Sequence, residues 1–450
     1  MLIKLRGINY ALIFFLFFVN FFFSSWILDI IVTFLTITAL LITVPFLEKL
    51  PKFLSTIFIL CGISISLMND ISFEKTFLSF SNMVGIVVFL GMIPIISLPI
   101  RSTNINLNLK PNKNLSNRQA FFLSESLVFS LASLINMAAI PMTSSIMKDK
   151  LSVNIQNGHN MLSESLSRGC ALAMIWSPIG AGVAVVSELT NLSLISLLPF
   201  CLPMAILGVL LDNFIYSLKH KGAMITENPL RQIVNFSFSD ITKILIPMLL
   251  FMICIAILDE LFSLGIMFLI TVTSIPFSLL YALLTKKFTE YGINLKIHFK
   301  KDVPNMAVQF SMLLAVGFFI KVLENSHYIE AILRAIVDYS NTLGTSGILI
   351  LTTFSVILIS VFGVHPLVAI TLMGSIIDPI QLGISPLLFG VILLTSFSLS
   401  IMLSPFNGTN NLVSIMTGKS SFLVVKSNLM FSGAFILVIF IFITFINFIN

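Results

Sequence analysis

The chain alternates long apolar runs with short polar connections, so run length predicts more than periodicity does. About twenty apolar residues cross a bilayer. On that measure eleven spans fall at about 9–25, 27–47, 53–69, 82–99, 167–189, 192–216, 241–258, 262–285, 303–323, 386–416 and 424–448. Two further runs, 120–148 and 346–378, are interrupted, the first at Pro141 and the second at Gly363-Val-His-Pro366. Their halves read as too short to span separately, which predicts two re-entrant hairpins. Residues 155–166 read as an interfacial helix or loop, and 328–342 as a short amphipathic connector. The fold class expected is an all-α polytopic membrane protein with no sheet.

One proline-containing pattern occurs twice inside these runs, as Met174-Ile-Trp-Ser-Pro-Ile-Gly-Ala-Gly182 and Ile401-Met-Leu-Ser-Pro-Phe-Asn-Gly-Thr409. A shift of 227 residues carries Val186, Ser187 and Thr190 onto Val413, Ser414 and Thr417. Each pattern follows a hairpin proline, Pro141 or Pro366, at nearly equal spacing. Proline and glycine at membrane depth free backbone groups that lipid cannot satisfy, so such breaks persist where they are buried in protein or line a cavity. Matched breaks in two halves point to the binding site of a secondary transporter.

Composition agrees: 57% of residues are hydrophobic and 10% charged, against about 25% charged in a soluble domain. Lys and Arg concentrate in alternate loops (48–52, 100–119, 149–166, 217–240, 286–302 and 417–423), and the positive-inside rule makes these cytoplasmic, with the N-terminus inside. The first hairpin then enters from the cytoplasm and the second from outside, so the spans of 27–216 and 241–448 form an inverted repeat. A bacterial inner membrane is the expected location. The net charge of +6 sits in loops without interleaved aromatics, which excludes a nucleic-acid partner. The basic start Met1-Leu-Ile-Lys-Leu-Arg6 imitates a signal peptide, but no small-residue cleavage site follows, so it reads as a retained first helix. The four cysteines lie in apolar spans without metal-ligand or CxxC spacing. No P-loop, hydrolase elbow or His-Glu-x-x-His helix is present, so neither an enzyme nor an ATP-driven pump is expected.

The candidate solute-binding residues follow from the breaks and tips. Ser177, Pro178, Gly180 and Gly182 form the first break; Ser404, Pro405, Asn407, Thr409, Asn410 and Asn411 form the second. Asn136, Pro141, Thr143 and Ser144 are expected at one hairpin tip, facing the second break, and His365 and Pro366 at the other, facing the first. Half-helix N-termini suit an anion and freed carbonyls suit Na⁺, the ion being expected near Thr143, Ser177, Ser404 and Asn407. His365, read as the one histidine at membrane depth, either carries a proton or stays neutral against freed backbone. Glu125 and Glu188 read as interfacial, Asp212 and Asp378 as lying at segment ends, and Arg168 and Lys321 as snorkelling. With no close acid pair expected at mid-span, an anionic cargo is favoured over a cation/proton exchanger.

This order of spans, hairpins and broken helices resembles the ion transporter superfamily, with an architecture similar to the divalent anion:sodium symporter family. The tips, Ile140-Pro-Met-Thr-Ser144 and Val364-His-Pro-Leu367, depart from that family's Ser-Asn-Thr motifs, so a dicarboxylate cargo does not carry over. The resemblance implies scaffold helices in 1–119 and 219–345, a moving unit in 120–218 and 346–450, elevator-type motion and a homodimer. The function expected is secondary transport of a small organic or inorganic anion coupled to Na⁺ or H⁺, with no other cofactor. A cation/proton exchanger or metabolite exporter of the same fold is the alternative. An intramembrane enzyme or subunit acting on lipid-linked substrate is the alternative of another class.

Overall fold

The computed structural model describes residues 2–101, 117–150, 158–177, 180–219, 238–262 and 264–449, and they form helices and turns without a strand. In the first half the helices are α1 Leu2–Phe23, α2 Trp26–Thr43, α3 Lys49–Met68, α4 Phe73–Leu78, α5 Val84–Met92, α6 Leu98–Arg101, α7 Asn117–Ile135, α8 Ala139–Lys150, α9 Gly158–Ala173, α10 Ala181–Thr190 and α11 Leu194–Lys219. The second half has α12 Phe238–Phe262, α13 Ile266–Leu284, α14 Phe288–Ile297, α15 Val303–Asn305, α16 Ala307–Glu324, α17 Tyr328–Val361, α18 Pro366–Ile376, α19 Pro386–Leu403, α20 Gly408–Thr417 and α21 Ser421–Ile449. Among the described residues ten helical stretches are long and apolar enough to cross a membrane. The chain is an all-α, multi-pass membrane protein.

Two sets of helices pack mainly within themselves. Helix α16 lies against α2 and α3, and α13 lies against α5 and α12. In the other set α7 packs on α9, α17 on α18 and α19, and α21 on α9 and α19. Leu67, Leu41, Ile253 and Ile441 are among the large side chains left exposed, on helices at the outside of the bundle, where lipid replaces water as solvent. The stretch Pro386–Thr417 is almost wholly buried and forms the centre. Hydroxyls inside the spans are satisfied on their own helix: Thr271 donates to the Met267 carbonyl and Thr352 to Ile348, four residues back. Such local bonds let Ser and Thr sit in apolar helices at little cost.

Several expectations need correction. The first interruption falls at Asn136–Ala138, not at Pro141, which sits in the first turn of α8. Asn136 takes the left-handed region (φ 54°), and 227 residues on Gly363 does the same (φ 96°). The two turns are therefore equivalent, whereas Pro141 and Pro366 are not. Proline fits a first helical turn because its missing N–H has no intrahelical partner there. The first hairpin arm, α7, has 19 residues, about 28 Å at 1.5 Å per residue, so it is not too short to span.

Residues 158–166 are not interfacial: α9 begins at Gly158 and is buried from Met161 onward. The connector at 328–342 does hold as a separate helix: Gly344, non-helical at φ 69° and ψ 173°, breaks it from the helix that runs on to Val361. The basic loop after α13 is largely helical, and its His298 is buried with Nε2 2.7 Å from the Gly91 carbonyl. His365 is thus not the only histidine in the interior. Residues 102–116, 151–157 and 220–237, which include the loop cations Lys110, Lys113, Lys221 and Arg231, lie outside the described residues, as does Pro178.

Candidate functional site

Both Ser-Pro patterns interrupt a helix. Helix α9 ends at Ala173 and α10 restarts at Ala181, while α19 ends at Leu403 and α20 restarts at Gly408. Proline cannot donate into the ladder, and the residue before it is pushed to extended backbone. Ser404 accordingly has ψ 121°.

The hydrogen bonds repeat in register. The Ser177 hydroxyl donates to the Ser133 carbonyl at 2.8 Å, and the Ser404 hydroxyl to the Ser360 carbonyl at 2.7 Å, each across 44 residues. The Ser187 hydroxyl donates to the Leu192 carbonyl as Ser414 does to Lys419. Thr190 bonds the Val186 carbonyl and Thr417 the Val413 carbonyl, both at 2.7 Å. The short helices then end on left-handed residues, Asn191 and Gly418. Each break is thereby tied to the hairpin arm of its own half.

Across halves the contacts are reciprocal. The Phe397 ring lies against Gly182, and the image of that pair, Cys170 with Thr409, is hydrogen-bonded. Ser398 donates to the carbonyl of Ala171, its own equivalent, at 2.7 Å. A position that touches its own image lies on a two-fold axis, so the axis passes between α9 and α19. Helix α8 packs on α20, and α18 on α10; Met137 of the first tip reaches Gly408 at the start of α20. Helix α8 of the first half therefore lies on the short helix of the second, and α18 of the second on that of the first.

The candidate residues divide by chemistry. At the second break the amides close the gap themselves. Asn407 caps α20 by accepting from the Asn410 N–H at 2.9 Å. Its Nδ2 donates to the Ile401 and Ser404 carbonyls, both at 2.6 Å. Asn410 Nδ2 donates to Ile401, Met402 and Ser404 at 2.9, 3.2 and 2.9 Å. The carbonyls expected to be free for Na⁺ are thus already held, because side-chain amides replace the missing ladder donors. Asn411 does not join them; it is exposed and accepts from Ser421.

The first break has Gly180 and Val183 at the positions of Asn407 and Asn410, and Gly180 gives α10 no side-chain cap. The start of α10 thus presents N–H groups with the positive end of the helix dipole. On α8 the buried hydroxyls of Thr143 and Ser144 lack a partner among the described residues. Asn136 bonds its neighbour's N–H. His365 caps α18 by accepting from the Leu367 N–H at 3.2 Å through Nδ1, and Pro366 follows as first helical residue. Capping requires an unprotonated Nδ1, so the ring serves the helix start.

The largest departure from expectation lies beside the second break. Glu125, Arg168 and Asp212 are not interfacial or snorkelling; they are 0%, 3% and 0% exposed. Arg168 Nη1 bonds Asp212 at 2.6 Å, Nη2 lies 3.4 Å from Glu164 and 2.5 Å from the Ser427 carbonyl, and Nε bonds Asn428 at 3.2 Å. The guanidinium also stands 5.5 Å from the centre of the Phe431 ring. Glu125 accepts from Asn213 Nδ2 at 2.7 Å, and its carboxyl faces that of Asp212, the neighbour of Asn213. Gly169 makes this possible: the carbonyl of Glu125 would lie 2.8 Å from any Cβ there, so α7 and α9 approach at backbone distance. An acid pair is present in the interior after all, and its expected absence no longer argues for an anionic cargo.

The cluster reaches the break without a gap. Asn428 donates to the Ser167 hydroxyl at 2.8 Å, and Ser167 donates to Asn410 at 2.8 Å. The signals for this in the sequence are the Glu164–Arg168 pair at helical spacing and the adjacent Asp212-Asn213 after an uncharged run. They lie on segments 39 or more residues apart, and only the packing of α7, α9, α11 and α21 unites them.

No family model matches the chain, and no curated protein matches it. Among solved structures it is similar to the crystal structure of the Alcanivorax borkumensis YdaH transporter, with a TM-score of 0.46 and 13% identity over 88% of this chain and 98% of that one. A likeness of that size bears on neither cargo nor mechanism.

Proposed function

We propose that the protein is a secondary active transporter of a small solute, with the two helix breaks as its binding region. The observation that carries this reading is the paired interruption: two ten-residue helices restart in the interior, related by one shift and one axis. An anion is the cargo best matched to the uncapped start of α10. Coupling is to Na⁺ or H⁺, the ion being cargo and not a resident cofactor. The hairpins, α9–α11 and α19–α21 act as the moving unit against α1–α6 and α12–α16, in an inverted arrangement that works by an elevator motion within a homodimer. The membrane is the bacterial inner membrane, with the N-terminus cytoplasmic. The acid pair favours a second reading, a cation/proton exchanger of the same architecture.

A thermal-shift screen of organic acids and oxyanions, with and without Na⁺, identifies the cargo; uptake into proteoliposomes under imposed Na⁺ or pH gradients then tests transport. Gradient-independent leakage alone, for every solute that shifts the melting temperature, defeats the proposal. In the same assay Ser177→Ala and Ser404→Ala each remove one hydrogen bond between a break and the helix arm of its own half, worth about 1 kcal/mol. Uptake is expected to fall about fivefold in each, and wild-type rates in both variants would remove the breaks from the mechanism.

A further inference from the structure

Three carboxyl groups meet two cations in this interior. Glu125, Asp212 and Glu164 face Arg168, and Glu164 lies 3.5 Å from Lys219, whose side chain is half exposed. Lys219 and Lys419 meet Glu164 at the exposed side, so at the buried end Glu125 and Asp212 share Arg168 alone. With both ionised that end carries one uncompensated negative charge, which burial penalises severely. Ionised carboxylates only accept, so two of them facing one another can bond only with a proton between their oxygens. Glu125 Oε1 and Asp212 Oδ2 are buried and have no hydrogen-bond donor among the described residues. The amide of Asn213, bonded to Glu125 by its nitrogen, leaves its own oxygen buried and unpartnered.

We infer that Glu125 and Asp212 form a proton-binding site that holds one exchangeable proton and supplies the coupling ion. This rests on the transporter reading for its role and on the cluster alone for its existence. In the loaded state the Glu125 O–H donates to the Asp212 carboxylate, whose charge Arg168 balances, while Glu164 is met by the lysines at the exposed side. On release the O–H bond breaks, its electron pair stays on the carboxylate, and the proton leaves as hydronium. Asp212, Tyr216 and Lys219 follow one face of α11 at spacings of four and three, a line from the pair to the half-exposed lysine. In the other direction Arg168, Asn428, Ser167 and Asn410 bond in series to the Ser404 carbonyl. Loading and release thus act on the donors that close the second break. The other charged groups near the pair's partners, Lys219 and Lys419, face Glu164.

The test uses the full chain in lipid nanodiscs and reads the infrared C=O stretch of protonated carboxyl groups in difference spectra between acid and alkaline pH. Wild type is expected to show a buried protonated band at neutral pH that disappears on alkalinisation. Glu125→Gln and Asp212→Asn are expected to lose that band. Glu125→Gln keeps a donor toward Asp212, so it folds as the permanently loaded form, and its melting temperature is expected not to fall at alkaline pH as wild type's does. A band unchanged in both variants, or equal alkaline destabilisation in Glu125→Gln, overturns the proton site. No solute is needed for these readings. A failed uptake screen with the band present therefore rejects the transporter reading, and an absent band with gradient-driven uptake rejects the proton site.

Discussion

Arg168→Met is expected to destabilise the protein by about 3–5 kcal/mol, the usual cost of removing one partner from a buried ion pair. The methionine fills much of the volume and keeps contact with Phe431, so lost charge and not lost packing dominates. Asp212 then stands buried beside Glu125 with no cation against it, and the Ser427 carbonyl and Asn428 lose their donor. Thermal unfolding in detergent measures the loss. Adding Asp212→Asn to Arg168→Met is expected to restore part of the stability, because the stranded charge goes with the carboxylate. A single variant that melts like wild type would show that the cluster is water-filled and screened, against the burial described above.

The second large effect is a non-additive one. Asn407 and Asn410 cover two of the same acceptors, since each donates to the Ile401 and Ser404 carbonyls. Met402 has a reserve donor in Asn428 at 3.1 Å. Either alanine variant therefore leaves no α19 carbonyl wholly bare, and each is expected to cost about 1–2 kcal/mol, Asn407→Ala through its lost cap. The double variant strands two buried carbonyls at about 1–3 kcal/mol each. It is expected to exceed the sum of the singles by roughly 1–3 kcal/mol, within the range of coupling between residues in contact. Strict additivity in a thermal double-mutant cycle would mean the two amides do not share acceptors.

What could be read from the sequence was whatever a local chemical necessity writes there. Ser-Pro inside an apolar run must stop a ladder, and both breaks fall where that rule puts them. The turn at Asn136 was hidden because a left-handed asparagine leaves no fixed mark, while Pro141 nearby marks a helix start and drew the turn five residues too far. Its partner Gly363 was visible, but only the shared backbone angle pairs the two. The asparagines of the second break stand out in an apolar run, yet whether they serve a ligand or their own backbone depends on which carbonyls stand within 3 Å. Arg168 was the hardest. A basic residue just before an apolar run looks like a snorkel until α9 is seen to start ten residues earlier and to run through the centre of the bundle.

The contact between Ser398 and Ala171 has a mechanical consequence. If the two halves trade conformations during a working cycle, a point on their axis is the one place that need not shift. Reporter groups near 171 and 398 would keep a constant separation through the cycle. Pairs away from it, such as 137 with 408 and their images 364 with 181, would exchange lengths, one closing as the other opens. The crossing of α9 and α19 is then the still point of that exchange, held by the bond from the Ser398 hydroxyl to the Ala171 carbonyl.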